Sequence, residues 1–230
     1  MRRRFVFLLG FVLLAALLRA ASPLDNARRA QALLGEGFWS QLIEVENTAD
    51  RGRYPAVLHA LVFEFAGLLW FYTDADGTQS FSTHRNNLVA EKADFAPLLR
   101  DIHPGFRRWR VLPSTAGAPL VATGPLQNGC FIESLAAVRA RAAAGRPLQM
   151  PRLLSYYMNE DGARIGHTVL AYESGDRVEI FDPGRPEARL SFPRGSAGEP
   201  LALARALEGR PIDRALFLGV EFAALTEQGV

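Results

Sequence analysis

The rhythm of hydrophobic and polar positions changes several times along the chain, and each change predicts a different element. Arg2 to Arg4 precede an unbroken apolar run from Phe5 to Leu18, and the small residues Ala20, Ala21 and Ser22 follow it. Leu24 to Leu34 has helical spacing with Arg28, Arg29 and Gln31 on its polar face, and Ser22 or Asp25 is placed to cap it. From Ala56 the pattern becomes strand-like. Leu61 to Phe65 and Leu68 to Tyr72 are apolar and aromatic runs joined at Ala66-Gly67, and a turn over Asp74 to Gly77 leads into Thr78 to Ser82, which predicts a three-stranded meander. Ala93 to Ile102 predicts a helix that stops before Pro104, and Arg107 to Leu112 another strand. Ser114 to Gly124, small and Gly- and Pro-containing, predicts a connector between two halves. Phe131 to Ala144, rich in alanine and arginine and closed by Gly145 and Pro147, predicts a strong helix. Ile165 to Glu173 and Arg177 to Asp182 predict a hairpin about the two-residue turn Gly175-Asp176.

The opening residues have the layout of a secretory signal: a positive start, a short apolar stretch and small residues after it. The expectation is export, with residues 1–21 a cleaved signal peptide or an uncleaved inner-membrane anchor. The chain would then be periplasmic, or tethered through this segment alone. Arg19 stands where a clean cleavage site wants a small residue, which keeps the anchor open, and no cysteine follows the run to carry a lipid. Residues 22–230 are then expected to form a single α+β domain, with 22–124 as a helix and meander half and 125–230 as the half that carries the chemistry. With 230 residues and 49% hydrophobic content, the chain is long enough to bury a sizeable core.

Charge changes the picture by exclusion. Lys92 is the only lysine, and four of the arginines (Arg2, Arg3, Arg4 and Arg19) belong to the leader. Taking those four from the formal charge of +2 leaves the remainder at about −2, which excludes a nucleic-acid binder built on basic excess. Cys130 is the only cysteine, so no intramolecular disulfide forms. Either this thiol is packed inertly in a core, or it is present for its chemistry.

Its surroundings favour chemistry. Gln127-Asn128-Gly129-Cys130 ends the connector, so Cys130 falls at or near a helix N-terminus, where unpaired amides and the positive dipole end favour a thiolate. Gly129 is expected to leave room for a substrate backbone, and Gln127 is a candidate oxyanion donor. In a hairpin centred on Gly175-Asp176, facing residues have numbers that sum to 351, so Asp182 faces Val169. His167 is two places from Val169, which puts His167 and Asp182 in a diagonal relation with backbones roughly 7 to 8 Å apart. An imidazole and a carboxylate close that gap. Cys130, His167 and Asp182 are then a nucleophile, its base, and the group that orients the base.

These residues also carry a resemblance. Cys130-Phe131-Ile132-Glu133-Ser134-Leu135, Gly166-His167-Thr168-Val169-Leu170-Ala171-Tyr172 and Ile180-Phe181-Asp182-Pro183 resemble the core of papain-like cysteine enzymes, closest to the transglutaminase-like proteins and the bacteriocin-processing peptidases. The spacings are 37 residues from cysteine to histidine and 15 from histidine to aspartate. Two positions depart from the pattern. Thr168 and Val169 stand where an aromatic usually follows the histidine, and Gln127 lies closer to the cysteine than the oxyanion glutamine of papain-like peptidases. The resemblance implies a papain-like or transglutaminase-like core with the cysteine helix packed on an antiparallel sheet. It also implies thiol-dependent acyl transfer on a peptide or protein, with the cell envelope as one source of substrate and no cofactor.

Two other readings stay open. In one, a non-catalytic envelope protein keeps the fold as a binding or scaffolding module. In the other, the meander from Leu61 to Ser82 belongs to a split β-barrel that binds flavin, with Arg85 and Arg107 near its phosphate, although no phosphate-cradling motif accompanies them. The aromatics Trp70, Phe71 and Tyr72 fit core and sheet surface. His59, His84 and His103 are too scattered for a metal site, and Asp74 and Asp76 beside Gly77 fit a turn better than a calcium loop.

Overall fold

The computed structural model describes residues 22–48, 56–66, 68–74, 77–81, 95–102, 105–113, 125–160 and 163–220. The leader, the connector Ser114–Gly124, and the residues Asp76, His84, Arg85 and His103 lie outside them. The fold is α+β, with two antiparallel sheets of five strands.

The chain enters on helix α1 (Pro23–Leu34). Ser22 is its N-cap: the Ser22 hydroxyl accepts from the Asp25 N–H at 3.1 Å and donates to the Asp25 carboxylate at 2.7 Å, a reciprocal box that satisfies the first turn. Sheet A then forms from β1 (Ser40–Asn47), β2 (Val57–Phe65), β3 (Leu68–Thr73), β4 (Gly77–Phe81) and β5 (Phe106–Val111), in the order β4-β3-β2-β1-β5. The predicted meander is its β2, β3 and β4. Helix α2 (Ala96–Ile102) precedes β5.

Helix α3 (Cys130–Ala143) leads into sheet B: β6 (Gln149–Glu160), β7 (Ala163–Ser174), β8 (Arg177–Phe181), β9 (Leu190–Pro193) and, after helix α4 (Pro200–Glu208), β10 (Arg214–Gly219). Their order is β10-β6-β7-β8-β9. The hairpin register is the predicted one, since Leu170 faces Phe181, Tyr172 faces Glu179 and Ser174 faces Arg177.

The pattern predicts nothing for β6, and the structure gives the reason. β6 is an inner strand with Leu153 buried on one face and Leu154 on the other, and this pair interrupts the alternation that Tyr156, Tyr157, Met158 and Asn159 otherwise keep. Pro151 sits inside it at the irregularity between Gln149 and Arg152, where the ladder tolerates a missing N–H.

Three buried clusters order the layers. The central one joins Ala27, Ala30 and Leu34 of α1 and Phe131, Ile132, Leu135 and Val138 of α3 to Leu61, Phe63 and Trp70 of sheet A and to Leu153 and Leu170 of sheet B. The two helices therefore lie between the sheets. On the far face of sheet A, Phe95 and Leu99 cover Val45, Ala60 and Val62. On the far face of sheet B, Leu203, Ala204 and Leu207 of α4 cover Tyr156, Val169 and Ile180. Phe131 decides where α3 begins: its ring stacks on Trp70 at 4.4 Å and meets Phe65 edge-on at 5.8 Å. Contacts of this size anchor the helix start against β2 and β3.

Candidate active site

Cys130 is the first residue of α3, and it is partly exposed. Its N-cap is Gly129, which supplies no side-chain cap. The first-turn amides, that of Cys130 among them, therefore have no partner within the helix and point to the space before it. Gly129 itself is buried, and a Cβ built on it would lie 2.2 Å from the Leu126 Cβ. Glycine is thus needed there for the close turn onto Leu126.

The loop before Cys130 is tied to both its own helix and sheet A. Glu133 reaches back to accept the Leu126 N–H at 2.6 Å, and its partly buried carboxyl is pushed up by burial, which outweighs that bond. From sheet A, the Tyr72 hydroxyl donates to the Gln127 carbonyl at 2.8 Å, and the Asn128 side-chain amide donates to the Asp74 carbonyl at 2.7 Å. Burial first, then the nearby Asp74 and Glu133, raise the Tyr72 phenol above its ordinary range, so it stays a donor. Asn128 takes a positive φ of 52° at this bend, a conformation asparagine tolerates better than most residues. The Gln127 side chain is exposed, and the part of it that is fixed is its carbonyl.

His167 and Asp182 come from sheet B. Val169 and Ala171 on β7 and Val178 and Ile180 on β8 face α4, and the two-residue period turns His167 and Asp182 to that same side. Leu170 faces α3 instead. The last β7–β8 pair is Leu170 with Phe181, so β7 runs on past the end of its neighbour. There His167 and Cys130 meet.

The His167 Nε2 lies 2.9 Å from the Asp182 Oδ1, with side-chain exposures of 19% and 1%. The Cys130 thiol lies close enough to the same ring to act on its charge, and Nδ1 is the ring nitrogen that Asp182 leaves free. Asp182 is nearly enclosed and saturated: Oδ1 also accepts the Gly184 N–H at 2.8 Å, and Oδ2 accepts the Arg185 Nε at 2.7 Å. Burial opposes charge on Asp182, yet the bonds from His167 and Arg185 overcome it and hold the carboxyl down at about 2. Burial likewise opposes charge on the His167 ring, but its bonds to Asp182 and Cys130 prevail and raise it to about 9. The ring therefore keeps its proton across the neutral range, facing a sulfur on one side and a carboxylate on the other. Such an arrangement can support a thiolate-imidazolium pair.

The structure thus brings Cys130, His167 and Asp182 together, with Gln127 and Gly129 in the loop immediately before the thiol. Sequence reasoning missed Arg185, Tyr156 and Glu208. Asp182-Pro183-Gly184-Arg185 did carry a signal: an aspartate opening a turn often accepts the N–H two residues on, and the arginine three residues on is in reach of its second oxygen. Tyr156 was hidden with β6. His59 pairs with Glu44 at 3.5 Å on sheet A, and no cluster of three or more metal-binding side chains occurs among the described residues. Comparison with protein-family models, with curated proteins and with solved structures finds no match.

Proposed function

We propose that the protein is an exported thiol-dependent acyl-transfer enzyme of the papain-like or transglutaminase-like kind, acting on a peptide or protein carboxamide. Export rests on the leader pattern of residues 1–21, and the family kinship on the motifs around Cys130, His167 and Asp182. The observation that carries the chemistry is the continuous line from the Cys130 sulfur through the His167 ring to the Asp182 carboxylate, which ends in a buried, fully bonded anion.

In the first half-reaction the Cys130 thiolate attacks the carbonyl carbon, and the carbon–oxygen π pair moves to oxygen. The N–H of Cys130 at the open helix start stabilises that oxyanion, and Gln127 is the candidate for a second donor. Collapse of the intermediate breaks the C–N bond as the His167 imidazolium gives its proton to the leaving amine. The product is a thioester on Cys130. Water or an acceptor amine then attacks it, His167 takes the proton, and the thiolate leaves. Asp182 holds the ring in the tautomer that both halves require.

Alkylation of the purified full chain by iodoacetamide between pH 5 and 9, compared with His167→Ala, tests this. Fast labelling of Cys130 below pH 7 that is lost in the variant is the expected result. Slow labelling that appears only on unfolding would overturn it and leave a non-catalytic binding module as the better account.

A further inference from the structure

Behind the Cys130–His167–Asp182 line, the structure holds a second set of bonds that the reaction described above does not use. The Arg185 Nε donates to the Asp182 Oδ2 at 2.7 Å, and its terminal NH2 donates to the Glu208 Oε1 at 3.1 Å. Glu208 ends α4, and its Oε1 also accepts the Tyr156 hydroxyl at 2.5 Å. The Tyr156 ring in turn meets the His167 ring edge-on at 5.6 Å. The set closes on itself: His167, Asp182, Arg185, Glu208, Tyr156 and back to His167. Arg210 stands beyond it, 3.9 Å from the second Glu208 oxygen.

A carboxylate bonded to histidine and to nothing else charged would grip the imidazolium proton and make the ring a reluctant acid. General acid catalysis is most effective when the proton is held near the working pH. A guanidinium on the far oxygen draws off part of the carboxylate's charge and repels the imidazolium. A second carboxylate on that guanidinium partly cancels its effect. The groups that act on His167 are therefore Cys130 from α3, Asp182 and Arg185 from the turn after β8, Tyr156 from β6, and Glu208 at the end of α4 with Arg210 behind it.

We infer that Arg185, held by Glu208, is a positioning residue that sets the proton affinity of His167 through Asp182. This deepens the acyl-transfer reading and rests on it for its purpose, although the electrostatic coupling itself does not need the reaction. The coupling predicts opposite signs. Arg185→Gln removes the competitor for Asp182, so the His167 titration moves up by about half a unit, while Glu208→Gln frees Arg185 to act on Asp182 and moves it down by a comparable amount. Arg185→Lys keeps the charge but cannot bridge two carboxylates with a planar fork, so it leaves the titration between wild type and Arg185→Gln.

The measurement is proton and nitrogen NMR of the full chain labelled at its four histidines, with the His167 signal assigned by its loss in His167→Gln. Opposite shifts in Arg185→Gln and Glu208→Gln are the expected result. Shifts of the same sign, or none in either, overturn the inference, because a purely structural role gives no reason for opposite signs. If Arg185→Gln does not fold, Glu208→Gln and Arg185→Lys carry the test, and a downward shift in the first with an upward one in the second is then required. Iodoacetamide labelling of the same samples separates the two ideas. Opposite titration shifts with a Cys130 that labels slowly whether or not His167 is present would keep the coupling and remove the enzyme. Labelling that depends on His167 without opposite shifts would do the reverse.

Discussion

Each sheet carries a histidine paired with a carboxylate, and the two pairs differ in everything except that chemistry. On sheet A, His59 faces Glu44 across β2 and β1 at 3.5 Å, while Glu44 gives its other oxygen to Arg110 at 2.7 Å. On sheet B, His167 meets Asp182 at 2.9 Å, Asp182 is 1% exposed against 14% for Glu44, and the Cys130 thiol acts on the ring as well. The first pair belongs to the charge ladder of β1 and β5, where Glu46 and Arg108 form a further link at 2.7 Å. Ladders of this sort keep an edge strand soluble and add little else. What separates a site from a pair is therefore the enclosure of the acid, the completion of its hydrogen bonds, and a third group on the free nitrogen.

That contrast breaks if the two histidines prove interchangeable. His167→Ala is expected to slow alkylation of Cys130 at pH 6.5 by about 10- to 100-fold, since an ordinary thiol is only about 1% thiolate there, whereas His59→Ala leaves it unchanged. Equal losses in the two variants would sink the assignment of the site to sheet B.

Asp182→Asn asks whether the enclosed acid matters as charge or as shape. The ring loses the partner that raises it, so the alkaline fall in reaction rate moves from near pH 9 down towards the ordinary histidine value of 6.5. Stability follows the same pair. The raised His167 contributes stability that is fully present below pH 6.5 and lost as pH rises through about 9, and the lowered Asp182 contributes stability present above pH 3.8 and lost as pH falls through about 2. Wild type should therefore exceed Asp182→Asn by the most between pH 3.8 and 6.5, by about 2 kcal/mol in urea unfolding, because the variant leaves Arg185 and His167 without their anion. A gap that is flat from pH 3 to 10 would mean that only shape was lost.

Gly129→Ala tests the loop in place of the charges. A Cβ at 2.2 Å from the Leu126 Cβ cannot be accommodated without moving backbone, so the free energy of unfolding in urea should fall by about 2 kcal/mol. Labelling of the folded fraction should fall as well, because the turn sets where α3 starts. Unchanged stability would mean that the close turn onto Leu126 is not what requires glycine.

How legible all this was in the sequence follows from which forces leave a local trace. The β7–β8 register could be read because Gly175-Asp176 fixes a two-residue turn, and that register alone put His167 near Asp182. The start of α3 could be read because Gly129 and the alanine-rich run bracket it. β6 could not, since Leu153 and Leu154 are buried on opposite faces and break its alternation. α4 did leave signals in Pro200 at its first turn and in Gly209, which closes it with a φ of 64°, but a nine-residue helix with Ala at three positions offers little periodicity. The clamp through Arg185, Glu208 and Tyr156 joins three elements far apart in sequence, and only Arg185 stands close enough to Asp182 to be guessed. Tyr72 and Asp74, which tie down the cysteine loop, lie 55 and 54 residues from their partners.

The smallest effect sharpens the comparison from the other side. His59→Gln should leave the unfolding temperature within about 1 °C of wild type at pH 7, because its partner Glu44 keeps the shorter bond to Arg110 and a 3.5 Å contact contributes little. The difference should stay small when salt is raised, since screening has little to remove. A loss several times larger would show that a partly exposed ladder holds sheet A together as firmly as the enclosed network holds sheet B, and enclosure of the acid would then no longer separate the two pairs.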